Sequence, residues 1–165
     1  MSRNNIFYKF SNEAQEILRQ NGIDGVVKQQ IQQHAQGIEI EFIREGYNIS
    51  STARDFLDLC AYCEIRFLCD KKSNYHAKLI VDPTGYIDST DRVELHNLFD
   101  KQFYTIAYMS DGYEIMVDND ENTYLFWDGN WNFLGSNLVS GIEEIFKSEG
   151  SRLNSQYART YPCNE

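Results

Sequence analysis

Cys60-Ala61-Tyr62-Cys63 is a C-x-x-C pair, with Cys69 and His76 downstream. Three thiolates and an imidazole are a donor set that holds zinc tetrahedrally. The spacing fits neither the common finger nor the ribbon pattern, and Cys60 and Cys69 also fall on the apolar faces of a helix and a strand. Free cysteine is among the most buried residue types, so packing accounts for these positions without a metal. A redox C-x-x-C stands where a strand opens into a helix, whereas this one stands where a helix ends. Asp118-Asn119-Asp120-Glu121-Asn122 resembles the start of a calcium loop. However, Thr123 occupies the glycine position, Gly129 the closing glutamate position, and the flanks read as strands. A solvated hairpin turn is the expectation there.

There is no nucleophile elbow, phosphate loop or zinc-protease helix. His34, His76 and His96 fall in separate elements and read as surface residues. No catalytic residue, metal ligand or cofactor is therefore assigned, and the chain is not expected to be an enzyme. The acidic residues are the better candidates. Asp111, Asp118, Asp120, Glu121 and Asp128 fall in hairpin turns, with Glu114, Trp127 and Trp131 close by in sequence. Acidic groups gathered at one end of a sheet around an aromatic centre would make a docking site for a basic protein. Tryptophans in the core and aspartates as turn formers are the competing reading.

Charge points the same way. The 165 residues carry a formal net charge of −10. Between Lys101 and Gly150 stand nine acidic residues against two lysines. Such a surface disfavours nucleic acid and attracts basic partners, although solubility alone would also explain it. Aromatics at 14% and apolar residues at 42% mark a globular chain long enough to bury one core. No run approaches the ~20 apolar residues of a membrane span. The opening Met1-Ser2-Arg3-Asn4-Asn5 has no signal-peptide core behind it. A cytoplasmic protein with no membrane partner is the expectation. Four cysteines are too few for a disulfide scaffold of this length.

The elements that must position these residues change character midway. Phe10, Ala14, Ile17 and Leu18 share one helical face, capped by Ser11 or Asn12 and ended by Gly22. Val27, Ile31, Ala35, Ile38 and Phe42 predict a helix over 26–45, closed by Gly46. A short strand at Ile38, Ile40 and Phe42 competes, and Gly37 weakens the helix. A third helix is predicted over 52–62, with Ala53, Phe56, Leu57 and Cys60 buried and Thr52 and Asp55 at capping-box spacing. The period then becomes two. Ile65, Phe67 and Cys69 alternate, and Leu79-Ile80-Val81 forms a second strand, stopped by Pro83-Thr84-Gly85. A brief helix capped by Thr90 presents Leu95, Leu98 and Phe99. Tyr104, Ile106 and Tyr108, then Tyr113, Ile115 and Val117, then Tyr124 and Phe126 set against Leu125 and Trp127, then Trp131 and Phe133 read as an antiparallel meander. Its turns are Ser110-Asp111-Gly112, Asp118-Asn119-Asp120 and Asp128-Gly129. Leu138, Ile142, Ile145 and Phe146 form a last helix capped by Ser136 or Asn137. One domain over 1–150 and a polar tail over 151–165 follow.

The stretch from Ser51 to Phe146 resembles the SUKH superfamily of immunity proteins, most closely its third family. Four segments carry the resemblance: Ala53 to Leu59 running into Glu64-Ile65-Arg66-Phe67; Phe103-Tyr104-Thr105-Ile106-Ala107; Ile115 to Asp120 followed by Tyr124; and Leu134-Gly135-Ser136-Asn137 opening the Ile142-Glu143-Glu144-Ile145 helix. The Phe10–Gly22 and Val26–Gly46 segments match the family's leading helical region. Departures are Ile106-Ala107 in place of Pro-Ile-Gly, Asn122 or Thr123 where Gly is common, and Tyr62-Cys63 in place of a Gly pair. The resemblance implies a cognate toxin partner, often a nuclease or deaminase, neutralised by binding. The expected fold is α+β, an antiparallel sheet of about six strands packed against helices, with a helical N-terminal part and a C-terminal helix. Two other readings stand beside it. One is a regulatory interaction module of the same fold with no toxin partner, which gene neighbourhood would separate. The other is a small zinc enzyme using Cys60, Cys63 and Cys69, which metal analysis would separate.

Overall fold

A computed structural model describes residues 5–70, 72, 74–87, 96–97, 99–128, 130–147 and 159–160, with only the backbone of Asp70, Arg159 and Thr160. Among the described residues are four α-helices and a seven-stranded sheet. The helices are α1 (Asn12–Gln20), α2 (Gln29–Arg44), α3 (Ser51–Cys60) and α4 (Leu138–Lys147). The strands are β1 (Glu64–Asp70), β2 (Tyr75–Ile80), β3 (Phe103–Met109), β4 (Glu114–Asp118), β5 (Thr123–Trp127), β6 (Asn130–Gly135) and the two-residue β7 (Arg159–Thr160). They lie in sequence order and pair antiparallel throughout. The α+β class and the six-strand antiparallel sheet are therefore as the sequence predicts, with β7 a short addition at the edge. Of the polar tail, only Arg159 and Thr160 are described, and they pair with Trp131 and Asn130.

Local chemistry sets the helix ends. Ser11 Oγ accepts from Ala14 N at 3.2 Å, the N-cap bond that satisfies an orphan donor of α1. Ser50, rather than the predicted Thr52–Asp55 box, caps α3, accepting from Ala53 N at 3.1 Å. Helix α2 begins at Gln29, later than predicted, so Val26 and Val27 precede it and are exposed. Gly46 closes it at φ +83°, where Gly is favoured, and Tyr47 N donates back to Phe42 O at 2.8 Å. Helix α3 ends at Cys60, two residues short of prediction, and Tyr62 takes φ +62°. That is the left-handed conformation a glycine would adopt without strain. For α4, Asn137 Oδ1 accepts from Ser140 N at 2.9 Å.

One face of the sheet carries the core. Leu18, Ile38, Phe42, Phe56, Leu57, Ile65, Leu79, Ile115, Val117, Leu125, Ile142 and Ile145 belong to one buried cluster. The exposed edge of β1 is managed by Asn21, whose amide accepts from Arg66 N and donates to Arg66 O, each at 2.8 Å. A side-chain amide thus stands in for a neighbouring strand. Strand β2 begins earlier than predicted and ends at Ile80. The predicted helix capped by Thr90 falls mostly outside the described residues, as do Leu95 and Leu98.

The β3 alternation departs from expectation at one point. The register shifts between Thr105 and Ala107, so Ile106 is a bulge. Tyr104 joins the helix-side core, but Tyr108 lies opposite Glu114. A one-residue insertion reverses every later side chain, which is why a strict period of two misplaces Tyr108.

Glu121 holds φ +69° in the β4–β5 turn. A Cβ in that region costs about 1–2 kcal/mol, and glycine's extra unfolded entropy returns about 0.5–1 kcal/mol of it. Glu121→Gly is therefore expected to raise stability by about 0.5–1 kcal/mol, read as a higher urea midpoint at unchanged slope. An unchanged or lower midpoint would refute the strain argument.

Candidate functional site

The meander separates residues that adjacency in sequence suggested would cluster. Successive hairpin connections lie at alternate ends of an antiparallel sheet. Asp111 and Asp128 therefore occupy one end, and Asp118, Asp120 and Glu121 the other. The five residues of β4 lie between, roughly 17 Å at about 3.4 Å per residue. A single acidic rim does not form. The two tryptophans also part. Trp131 pairs with Phe126, whereas Trp127 pairs with Asn130 one step along, so their side chains leave opposite faces of the sheet. Trp127 is half-exposed and packs on Tyr113.

Asp118 is the largest revision to the site. Its carboxylate is buried, not presented to a partner. Oδ1 accepts from the backbone N–H of Asp120 at 2.9 Å and of Asn122 at 3.0 Å. Oδ2 accepts from Asn122 Nδ2 at 3.0 Å, Tyr124 OH at 3.0 Å and Lys101 Nζ at 3.3 Å. Burial alone would push this carboxyl up, but the hydrogen bonds from Asn122, Asp120 and Tyr124 outweigh it and hold it below the usual value. Burial and the neighbouring Asp118 charge push Tyr124 up to about 12, so its phenol stays a donor. Lys101 also reaches Asp120 at 3.0 Å, and hydrogen bonds to Asp120 and Asp118 raise its pKa. The calcium-like sequence is thus a turn whose first carboxylate is consumed by its own backbone and neighbours. Glu114 is likewise buried, accepting from Thr105 Oγ1 at 2.8 Å. Of the acidic candidates, Asp111, Asp120 and Asp128 are exposed and Glu121 is half-buried.

The sheet face away from the helices holds a feature that the sequence reading missed. Phe103, Met116 and Phe126 form a second buried cluster there, flanked by Tyr124 and Trp131. Together with Phe99 and Lys101 they line a cleft of about 100 Å³. Phe133, half-exposed, packs edge-on against Tyr124 beside it. His96 braces the cleft wall, accepting from Phe103 N at 2.9 Å and stacking on the Phe103 ring. A signal existed. Met116, Tyr124, Phe126, Trp131 and Phe133 are apolar at the positions that alternate with the core-facing ones. A sheet with one solvated face would carry polar residues there.

Among the described residues, Cys60, Cys63 and Cys69 build no metal-binding group. Cys60 is fully buried, its thiol donates to Phe56 O at 3.1 Å, and burial pushes its pKa well up. Burial also raises Cys63. Protonated, buried thiols are poor ligands and nucleophiles. Among the described residues, no three His, Cys, Asp or Glu side chains come together to hold a metal ion. His34 packs edge-on against Tyr62, and His76 sits on an exposed strand end. Among the described residues no helix is long and apolar enough to cross a membrane.

What fold and site define together is an α+β chain with one sheet face on the main core and, on the other, an aromatic cluster flanked by acidic turns. No protein-family model, curated protein or solved structure matches the chain.

Proposed function

We propose that this chain is an immunity protein, which binds a basic, nucleic-acid-targeting toxin domain and blocks it by occlusion. The observation that carries the reading is the aromatic second face of the sheet. Its centre is aromatic, with Phe99 partly exposed in the cleft wall and Phe133 half-exposed beside it. Acidic turns stand at both ends of the strands that build it. Aromatic anchors at the centre supply desolvated contact area, and surrounding charge steers a basic partner into place. The resemblance of four segments to SUKH immunity proteins points to the same reading.

The test is capture from the native host's lysate with this protein as bait, read by mass spectrometry, followed by co-expression with the captured domain. Recovery of a toxin domain and survival of the co-expressing cells are expected. Recovery of housekeeping or envelope-synthesis proteins alone would overturn the immunity reading and favour a regulatory module.

Charge substitutions then locate the contact. Asp118 is unsuited because its loss disturbs the turn. Asp120→Asn with Glu121→Gln neutralises one end of the sheet, and Asp111→Asn with Asp128→Asn the other. At low salt the pair nearer the partner is expected to slow association about tenfold and flatten its salt dependence. Unchanged association rates for both pairs would remove the acidic turns from the interface.

A further inference from the structure

The walls of the cleft close on themselves. Phe99 meets Phe103 at 5.9 Å between ring centres, Phe103 meets Tyr124 at 5.6 Å, Tyr124 meets Trp131 at 5.9 Å, and Trp131 returns to Phe99 at 5.2 Å. Neighbouring rings are inclined at 63°, 63°, 74° and 89°. All four border the same space of about 100 Å³, with Met116 and Phe126 completing the apolar lining. Four rings around one small space are the makings of a cage for an alkylated ammonium group, which the electron-rich faces of aromatic rings attract.

Charge favours a cation over an anion or a neutral guest. Lys101 lines the cleft, but its ammonium is held by both Asp118 and Asp120. That group of three carries a formal charge of −1. The carboxyl of Glu114 stands on the same sheet face as Met116, two residues along β4. An anionic guest would have to compete with two carboxylates for one lysine. A bare ammonium or guanidinium would lose its hydration against a lining that is almost wholly apolar. A quaternary ammonium has already exchanged its N–H groups for methyls, so it keeps the charge and loses little water.

We propose that the four-ring cleft formed by Phe99, Phe103, Tyr124 and Trp131 is a binding site for a small quaternary ammonium compound. The site does not depend on the immunity reading: a chain that captures no toxin would still bind the cation, and one without the site could still dock a protein.

The experiment compares choline with 3,3-dimethylbutan-1-ol, its uncharged isostere, on the full-length protein. Binding is followed by titration calorimetry and by Trp fluorescence. Choline is expected to bind about threefold to thirtyfold more tightly than the isostere. Phe99 stands at the rim of the cleft and outside the helix-side core, so Phe99→Leu keeps an apolar side chain there; it is expected to weaken choline several-fold while the protein stays folded, checked by its thermal melt. Asp120→Asn is expected to weaken choline at low salt and leave the isostere unchanged. Equal affinity for choline and the isostere would overturn the cation site and leave only an apolar cleft. No binding of either at millimolar concentration would overturn the site altogether. Choline binding that persists in Phe99→Leu at full strength would place it elsewhere on the protein.

Discussion

Asp118→Ala is expected to lower stability by about 3 kcal/mol, or roughly 10 °C in Tm for a chain of this size. The buried carboxylate is the acceptor for the backbone of Asp120 and Asn122, the Tyr124 phenol and Lys101. Alanine leaves those donors unmatched at the base of the β4–β5 turn, where Glu121 already sits at positive φ. Asp118→Asn keeps the shape but turns one acceptor oxygen into a donor that faces other donors, so a loss of about 1.5–2 kcal/mol is expected. The pH dependence separates charge from shape. The folded carboxyl is held below its unfolded value of about 3.9. Its contribution is therefore fully present above that value and disappears as pH falls through the lower, folded value. The gap between wild type and Asp118→Asn should be largest near neutrality and shrink below about pH 4. Urea melts at pH 7 and pH 3 check this, and a gap that does not narrow would mean that the charge is not what stabilises the turn.

Gly141→Ala is expected to destabilise by about 2 kcal/mol, against the helix-forming preference of alanine. A Cβ at this position would lie 2.5 Å from both Cβ and Cγ2 of Thr123. Helix α4 would have to lift from β5, opening the contact that seats Leu138, Ile142 and Ile145 in the core. Gly37, in the middle of α2, is the internal control, because nothing stands within 4 Å of its added Cβ. Gly37→Ala is expected to stabilise by about 1 kcal/mol. Combining Gly141→Ala with Thr123→Ala removes the Cγ2 and Oγ1 overlaps but not the Cβ one. The double mutant should thus recover about 1 kcal/mol relative to additivity, read from denaturant midpoints. If Gly141→Ala and Gly37→Ala shift stability in the same direction, close packing of α4 on β5 is not what selects glycine.

The bulge at Ile106 shows how a single inserted residue limits what a period of two can place. Before it, Tyr104 falls on the predicted face; after it, Tyr108 does not. The same limit applies to the candidate site. Turn chemistry marks Asp111, Asp118, Asp120, Glu121 and Asp128 as hairpin residues because those types favour such backbone. It does not say whether a given carboxylate faces water or the strand that follows. Asp118 turned inward because Asn122 and Tyr124, four and six residues on, supply donors to it.

By itself the sequence determined the α+β class, the helix faces, the meander and, to within one residue, the caps of the first and last helices, which the structure places at Ser11 and Asn137. Each follows from short-range periodicity or from one side chain meeting backbone two or three residues away. Only the tertiary structure decided which end of the sheet each acidic turn occupies, that Trp127 and Trp131 point apart, and that Phe99 closes a cleft with Phe103, Tyr124 and Trp131. It also decided that Gly37 is open and Gly141 is closed. These depend on strand direction, register and the approach of residues distant along the chain, and no local spacing encodes such contacts.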